Sequence, residues 1–367
     1  MSNTRCAAVA FSLLVAVHVG ACMGGAGNDR SGMARYTLEH DALEREYFVY
    51  LPAAYDGTDE YPAAIFMHGY GGSATGTEAE VTNGLTRYAE EYGYVMIFPQ
   101  STWFMSEGPE AERWEVTSWN HISDGFDKGP AGPICTEDAE SYPCPPECGN
   151  CGRCGWASCH DDVGFLEALV ARFTAQFAID EDRVYVSGFS NGALMANRIA
   201  CDASQLFAAA ALIGGRVEPG FECTPEVAVP LLQINGGRDE VVPHDGSVSN
   251  AGFYYASTES IAREWNAGEA CMADTKDWLP PVGKDALRCT VACEGTRRES
   301  IDCLWPEGDH RWPGTPGRRG SDGYCVTELQ AASMPDRTIC VAPDPAQEVW
   351  GSRLIFQFFD GHVRKRR

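Results

Sequence analysis

The segment VYVSGFSNGALMANRIAC, residues 184–201, decides the fold. It runs from a β-branched and aromatic stretch, through two glycines that flank Ser190, into a stretch with helical periodicity. Gly-x-Ser-x-Gly between a strand and a helix is typical of a nucleophile elbow. Gly188 and Gly192 lack Cβ atoms, so strand and helix can approach closely while Ser190 adopts a strained conformation that exposes Oγ. The alternative is an ordinary glycine-rich strand-to-helix turn in which Ser190 caps the N-terminus of the helix, since the chain contains 39 glycines.

Apolar stretches of strand length alternate with helical stretches on both sides of this segment. The strand candidates are EYFVYLP (46–52), AAIFMH (63–68), YVMIFP (94–99), RVYVSG (183–188), AAALIGG (209–215), PLLQING (230–236) and SIDCLW (300–305). The helix candidates are EVTNGLTRYAEEYG (80–93), DDVGFLEALVARFTAQF (161–177), GALMANRIAC (192–201), YYASTESIAREW (254–265) and AQEVWGSRLIFQFFDGH (346–362). The alternation predicts an α/β fold in one catalytic domain, 35–367, whose mostly parallel central sheet is flanked by helices. In such a sheet the chemistry gathers at the carboxyl ends of the strands.

A serine nucleophile needs a base, and the base needs an orienting acid. In this kind of fold the three follow in the order Ser, Asp, His. Asp239 lies in GGRDEVVP (236–243), directly after a predicted strand, and is the predicted acid. Asp245 is its main rival and Glu240 a weaker one.

The predicted base is His310, in the loop EGDHRWPG (307–314) that follows the strand candidate SIDCLW. His244 lies too close in sequence to the acid to come from a separate loop, and His362 lies in the tail. The alternative for His310 is a structural histidine that makes a loop hydrogen bond.

An oxyanion hole completes such a site. The loop MHGYGG (67–72) follows the strand candidate AAIFMH and matches the His-Gly-rich loop that supplies one backbone N–H. We predict Tyr70 as this donor, with Gly71 as the alternative, and Asn191 as the other donor. His68 is then predicted to organise the loop rather than to act as a base.

The N-terminus reads as an export signal over residues 1–22. Arg5 precedes the apolar run CAAVAFSLLVAVHV, and VGAC ends at Cys22. VGAC resembles the lipobox of bacterial lipoproteins, which implies lipid on Cys22 and possible membrane attachment through it; the alternative is an ordinary signal peptide cut nearby. The glycine-rich residues 23–34 are predicted to be a flexible linker. Both alternatives put the mature protein outside the cytoplasm.

The cysteines agree with export. Apart from Cys6 and Cys22, 14 of the 16 cysteines remain, enough for seven disulfides in an oxidising compartment. Six of them lie within residues 135–159, most of these in a Cys-rich insertion at about 121–154, which disulfides are expected to make rigid. The spacing of Cys148, Cys151 and Cys154 leaves zinc or an iron–sulfur cluster as an alternative to the expectation of no metal.

Charge excludes one class of partner. The formal net charge is -24, which argues against nucleic acid because phosphate binding needs a basic face. The basic cluster Arg364 to Arg367 is predicted to be a solvated tail, with contact to anionic lipid as the alternative.

Four blocks resemble secreted polyhydroxybutyrate depolymerase-like esterases and the bacterial feruloyl and acetylxylan esterases related to them. They are GFSNGALMANRIACD, CGWASCHDDVGFLEALV, GGRDEVVP and EGDHRWPG, within a similarity that spans roughly residues 36 to 365. The resemblance implies the α/β-hydrolase fold, hydrolysis of carboxylic esters and no cofactor. It also implies Ser190 as nucleophile, Asp239 as acid and His310 as base. The chain departs from the family in the Cys-rich insertion and in a second insertion at about 315–345, which holds Cys325 and Cys340.

Substrate identity is less determined than chemistry. Trp119 and Trp312 are candidates for a substrate wall that stacks on a phenolic acyl group or a sugar ring, and packing in a core or loop is the alternative. The ester substrates considered are polyhydroxybutyrate-type polyester and feruloyl or acetyl esters of plant polysaccharide. A serine peptidase on the same fold and a catalytically inactive binding protein remain alternative functions.

Overall fold

The computed structural model describes residues 32–76, 84–106, 109, 115–122, 128–149, 151, 154, 156–315 and 348–364. The predicted signal peptide with Cys22, most of the linker, and nearly all of the second insertion with Cys325 and Cys340 lie outside the described residues. Within them, no helix is both long and apolar enough to cross a membrane.

The strands and helices follow the predicted alternation. The strands are β1 Ala34–His40, β2 Leu43–Tyr50, β3 Tyr61–Met67, β4 Val95–Pro99, β5 Thr102–Met105, β6 Glu115–Ser118, β7 Lys128–Gly129, β8 Gly132–Pro133, β9 Ile179–Phe189, β10 Ala209–Ile213, β11 Leu231–Gly236, β12 Lys276–Trp278, β13 Arg288–Ala292 and β14 Ser300–Trp305. The helices are α1 Leu85–Tyr92, α2 Asp162–Gln176, α3 Asn191–Asp202, α4 Thr258–Trp265 and α5 Trp350–Asp360.

Ten of these strands form one sheet in the order β1-β2-β4-β3-β9-β10-β11-β14-β13-β12. The six central strands run parallel, from β4 to β14, and each edge carries two antiparallel strands. This is the α/β-hydrolase fold that the sequence predicts. The carboxyl ends of the parallel strands all meet at one edge of the sheet, where the functional residues lie.

Helices cover both faces of the sheet, so the central strands are buried on both sides. Ile65 and Val95 point to a core layer completed by α2, α3 and α4. Phe66 and Met96, their neighbours in sequence, point the opposite way, into a layer completed by α1 and α5. The near-continuous apolar runs of these strands are explained by this double burial.

The elements missed by the sequence patterns lie at the margins. The sequence patterns do not predict the edge strands β1, β12 and β13, the separate hairpin of β5 and β6, or the two-residue strands β7 and β8. Burial along β1 alternates between exposed and half-buried residues, so it lacks the apolar run by which the central strands were recognised.

Candidate active site

Ser190 occupies the corner between the end of β9 and the start of α3. Its backbone has φ 54° and ψ -126°, a region that non-glycine residues rarely adopt. A Cβ atom on Gly188 would lie 2.2 Å from the carbonyl oxygen of Gly192, and one on Gly192 would lie 2.3 Å from that of Met67. The corner therefore closes only because both flanking residues are glycines.

Ser190, His310 and Asp239 form one hydrogen-bonded chain. The Oγ atom of Ser190 lies 2.9 Å from Nε2 of His310. Nδ1 of His310 lies 2.8 Å from Oδ2 of Asp239. Because an ionised carboxylate only accepts, Nδ1 carries a proton, and Nε2 of the neutral ring accepts from the Ser190 hydroxyl. The structure thus brings together the three side chains that the sequence singled out.

Asp239 is held in place as a buried carboxylate. Its Oδ1 accepts hydrogen bonds from the backbone N–H groups of Val241 at 2.9 Å and Val242 at 2.8 Å. Burial disfavours its charge, but His310, the backbone N–H of Val242 and the nearby Arg216 cation together outweigh burial, so the pKa of Asp239 lies below its usual value. Asp239 is therefore ionised at neutral pH and can orient the imidazole.

The rival acids and histidines make other contacts than those of the Ser190–His310–Asp239 chain. Asp245 is exposed and accepts from the backbone and hydroxyl of Ser247. Glu240 is also exposed. His362 is bonded to Glu299 at 3.2 Å, beyond the end of α5. The carbonyl of His244 accepts from the N–H of Thr258, ahead of helix α4.

The His-Gly-rich loop approaches the nucleophile closely. A Cβ atom on Gly69 would lie 3.2 Å from Cβ of Ser190. The N–H of Gly71 donates to the carbonyl of Thr117 at 2.9 Å, which excludes the alternative oxyanion donor. Asn191 is the first residue of α3, so its N–H has no acceptor in a preceding helical turn. Tyr70 and Asn191 stay the predicted donors.

His68 organises this loop, as the sequence analysis expected. Its Nδ1 donates to the carbonyl of Gly69 at 2.8 Å, and its Nε2 accepts from the N–H of Ser101 at 3.2 Å. Burial lowers the pKa of His68 to about 4, so the ring is neutral at physiological pH.

The predicted tryptophan wall is wrong. Trp119 is fully buried, and its indole Nε1 donates to the carbonyl of His68 at 3.0 Å. Trp312 is 3% exposed, and its Nε1 donates to the hydroxyl of Ser352 at 2.9 Å. Both indoles pack inside the protein because each finds an internal acceptor for its N–H there.

Disulfides hold the Cys-rich insertion. The pairs are Cys135–Cys154, Cys144–Cys151 and Cys148–Cys159, and elsewhere Cys201–Cys223, Cys271–Cys293 and Cys289–Cys303. The three cysteines considered as metal ligands, Cys148, Cys151 and Cys154, are each bonded to another sulfur. Since metals bind thiolates, these sulfurs offer no ligand atom to a metal while they are paired.

An aromatic cluster, which sequence reasoning missed, joins the insertion to the oxyanion loop. The ring of Tyr142 in the insertion lies 5.4 Å from that of Tyr70, 5.7 Å from that of Trp156 and 5.7 Å from that of Phe253. Tyr70 and Tyr142 are both half-buried. No sequence signal indicates this contact, because the two tyrosines lie far apart in the chain and no regular spacing relates them.

A second residue that sequence reasoning missed, Arg216, is fully buried beneath the loop between β11 and α4, which carries Asp239 and is called the acid loop below. Its guanidinium donates to the carbonyls of Ala256 at 3.0 Å and Val242 at 2.7 Å, and also to the Pro243 carbonyl and the Asn235 side chain. Burial lowers the pKa of Arg216 to about 10, so it remains a cation. These bonds fasten the segment that carries Asp239.

Residues 160–218, which include the elbow, match the prolyl oligopeptidase family. Over 272 residues the chain is 27% identical to NocK of Nocardia uniformis subsp. tsuyamanensis, covering 69% of this chain and 66% of NocK. Over 244 residues it is 23% identical to feruloyl esterase B of Piromyces equi, covering 64% of this chain and 38% of the relative. The chain thus spans two thirds or less of these relatives.

Two further likenesses concern esterases. Feruloyl esterase C of Emericella nidulans is 28% identical over 104 residues, which cover 28% of this chain and 38% of the relative. The solved structure of the acetyl xylan esterase from Aspergillus awamori aligns with a TM-score of 0.47 and 13% identity, covering 76% of this chain and 94% of that chain. The sequence relatives confirm the predicted similarity to feruloyl esterases of the α/β-hydrolase fold.

Proposed function

We propose that this α/β-hydrolase is a serine carboxylic-ester hydrolase in which Ser190 is the nucleophile, His310 the base and Asp239 the orienting acid. The observation that carries the proposal is the continuous chain of hydrogen bonds from Ser190 Oγ at 2.9 Å to His310 and from His310 at 2.8 Å to Asp239. The named feruloyl esterase relatives support it further.

The reaction proceeds by acyl transfer in two steps. His310 Nε2 takes the proton as Ser190 Oγ attacks the ester carbonyl, and the backbone N–H groups of Tyr70 and Asn191 bind the oxyanion. Asp239 stabilises the imidazolium that forms. His310 then protonates the leaving alcohol and activates the water molecule that releases the acid. No cofactor takes part in these steps.

Among ester substrates, we propose esters of an aromatic acid such as ferulate. Tyr70 lies in the loop 67–72, its ring contacts that of Tyr142, and both residues are half-buried. Aromatic side chains at this place can stack on a phenolic ring. Polyhydroxybutyrate and acetylated polysaccharide lack such a ring, and are the alternative ester substrates.

Peptide hydrolysis is a second candidate. The match of residues 160–218 to the prolyl oligopeptidase family favours it, since this segment holds the nucleophile. A triad of this kind attacks amides as well as esters, so only an assay separates the two.

The experiment is hydrolysis of methyl ferulate, p-nitrophenyl acetate, a polyhydroxybutyrate suspension and a prolyl p-nitroanilide by the oxidised protein, beside Ser190→Ala. We expect methyl ferulate to give the highest kcat/KM and Ser190→Ala to lower kcat by at least about a thousandfold. Equal turnover by the Ser190→Ala variant would contradict the serine mechanism. Hydrolysis of the anilide alone would favour the peptidase, and no hydrolysis of any substrate would favour the inactive binding protein.

We also propose that the protein works outside the cytoplasm, attached to a membrane through lipid on Cys22. Six disulfides among the described residues are typical of an oxidising compartment. Mass spectrometry of the mature N-terminus in the membrane fraction and in the culture medium tests this. A diacylated Cys22 in the membrane fraction supports anchoring, whereas an unmodified N-terminal residue near position 22 in the medium supports secretion.

A further inference from the structure

A buried histidine–carboxylate pair that the proposed mechanism does not use lies beside the nucleophile elbow. Nε2 of His121 lies 3.0 Å from Oε1 of Glu218, and the two side chains are 0% and 3% exposed. Glu218 lies on the loop after β10, and His121 lies at the start of the Cys-rich insertion. Nδ1 of His121 faces Nδ2 of the Asn191 side chain at 3.2 Å.

The chemistry of these atoms fixes the direction of the hydrogen bonds. The Glu218 carboxylate only accepts, so Nε2 of His121 carries the proton and donates. In the neutral ring Nδ1 then accepts from the amide nitrogen of Asn191 at 3.2 Å, which is shorter than the 3.4 Å between Nδ1 and the Trp119 carbonyl oxygen. The same amide nitrogen also lies 3.4 Å from the carbonyl oxygen of Trp119 and 3.5 Å from that of Trp156. The amide is oriented from its other end too, because Asn191 Oδ1 accepts from the backbone N–H of Trp119 at 2.8 Å.

The same segment reaches the other side of the proposed oxyanion hole. The Trp119 indole donates to the carbonyl of His68 at 3.0 Å, two residues before Tyr70. Trp119 therefore bonds through its indole to His68, in the loop 67–72 that carries Tyr70, and through its backbone N–H to the Asn191 side chain. The spacing between the two proposed N–H donors depends on this connection.

We propose that Glu218 and His121 are positioning residues that, through the Asn191 side chain, hold the Asn191 backbone N–H in line with the developing oxyanion. This inference rests on the proposed serine mechanism. Two carboxylate–imidazole pairs thus serve the elbow: Asp239 and His310 handle the proton of Ser190, while Glu218 and His121 orient the neighbouring oxyanion donor. A shift of about 1 Å in such a group can cost as much as a hundredfold in rate.

The test compares His121→Gln with the wild type and with His362→Gln. Glutamine at position 121 can still donate to Glu218 from its side-chain amide, but it offers no acceptor at the place of Nδ1. We expect kcat for p-nitrophenyl acetate to fall about tenfold to a hundredfold, with KM within about threefold of wild type. His362→Gln alters a histidine–glutamate pair remote from Ser190 and is expected to leave kcat unchanged.

A transition-state mimic separates positioning from general damage. Phenylboronic acid forms a tetrahedral adduct on a catalytic serine, and this adduct mimics the transition state. Its inhibition constant should therefore rise in His121→Gln by the same factor as kcat falls. The double variant His121→Asn with Glu218→Gln restores an acceptor near Nδ1 without leaving a buried unpaired charge, and kcat should return to within about threefold of wild type.

The inference would be overturned by wild-type kcat in His121→Gln, or by equal losses of kcat in His121→Gln and His362→Gln. A fall in kcat without a change in boronate inhibition would overturn it too. If the wild type itself hydrolyses no ester and binds no boronate, the proposed function fails first and the inference falls with it.

Discussion

At the scale of single residues, the site depends on contacts with almost no spare room. The strained backbone of Ser190 at φ 54° is kept by the close packing of Gly188, Gly192 and Met67 around it. His68 is held as a neutral ring in a buried position that only uncharged imidazole suits. Both features lead to measurable expectations.

Gly192→Ala should destabilise the protein by at least about 2 kcal/mol, because the added methyl would lie 2.3 Å from a backbone carbonyl that a side-chain rotation cannot move. Gly361→Ala is the matched control: its φ of -74° suits alanine, and the nearest atom is 3.4 Å away. Urea unfolding of both variants measures the difference. Equal stability of the two would show that the elbow tolerates a Cβ atom.

His68 should make stability fall on acidification between about pH 6.5 and pH 4. Its folded pKa of about 4 lies below the unfolded value of 6.5, so in this window the unfolded chain binds a proton that the folded protein does not. The free energy of unfolding therefore rises with pH there, by about 3 kcal/mol across the window.

The measurement is urea unfolding at several pH values for the wild type, His68→Gln and His362→Gln. A glutamine side chain at position 68 retains an acceptor for the Ser101 N–H but cannot titrate, so this contribution to the pH dependence should disappear in His68→Gln and persist in His362→Gln. If the free energy of unfolding of His68→Gln depended on pH as steeply as that of the wild type, other titratable groups would be responsible for the dependence.

At the scale of elements, the site residues lie on irregular loops at the carboxyl ends of the strands. These loops lack the backbone hydrogen bonds of helices and sheets, so hydrogen bonds from buried side chains hold them in place. The acid loop between β11 and α4 contains no helix or strand. Arg216 provides the hydrogen bonds that a helix or strand would otherwise make, by donating to the carbonyls of Val242, Pro243 and Ala256. Since these carbonyls are internal, each needs a donor from the protein.

Arg216→Met should therefore lower both stability, by about 3 to 5 kcal/mol, and kcat, because the carbonyls lose their donors and Asp239 is no longer fixed. Arg216→Lys should recover only part of either loss, since an ammonium cannot match the planar set of donors. Arg238→Met is the control on the same loop: Arg238 is 66% exposed, and its loss should change stability by less than about 0.5 kcal/mol. Thermal unfolding and ester hydrolysis of the three variants measure these effects. Wild-type stability and kcat in Arg216→Lys would show that only the positive charge of Arg216 matters.

At the scale of the whole molecule, covalent links complement the core. The sheet and its two apolar layers form the centre, while three disulfides hold the insertion, two lie around β13 and β14, and Cys201–Cys223 ties α3 to the segment after β10. The loop closed by Cys135–Cys154 contributes about 3 kcal/mol in a chain-entropy account. The insertion lacks a regular helix of its own among its described residues, so its position against Tyr70 depends on these links.

Reduction should consequently lower the midpoint of thermal unfolding by more than about 10 °C and abolish ester hydrolysis before the sheet unfolds. The measurement is calorimetry with and without dithiothreitol, with iodoacetamide labelling and mass spectrometry to verify that the disulfide-bonded cysteines react only after reduction. An unchanged midpoint in verified reduced protein would show that the core alone holds the insertion.

Much of the fold and of the candidate site could be predicted from local sequence patterns. The central strands appear as apolar runs because both faces of a parallel sheet are buried, and the flanking helices keep a helical period because each buries one face. Ser190, Asp239 and His310 could be selected because each follows a predicted strand, and the carboxyl ends of parallel strands converge in space.

What the sequence by itself determined was thus the order of strands and helices and the residues at the strand ends. Only the tertiary structure decided the pairing of the cysteines, the burial of Trp119 and Trp312, and the contacts of Tyr70 with Tyr142 and of His121 with Glu218. The physical reason is that these contacts join loops far apart in the chain. No periodicity constrains such loops, and packing against the sheet and against one another selects their partners.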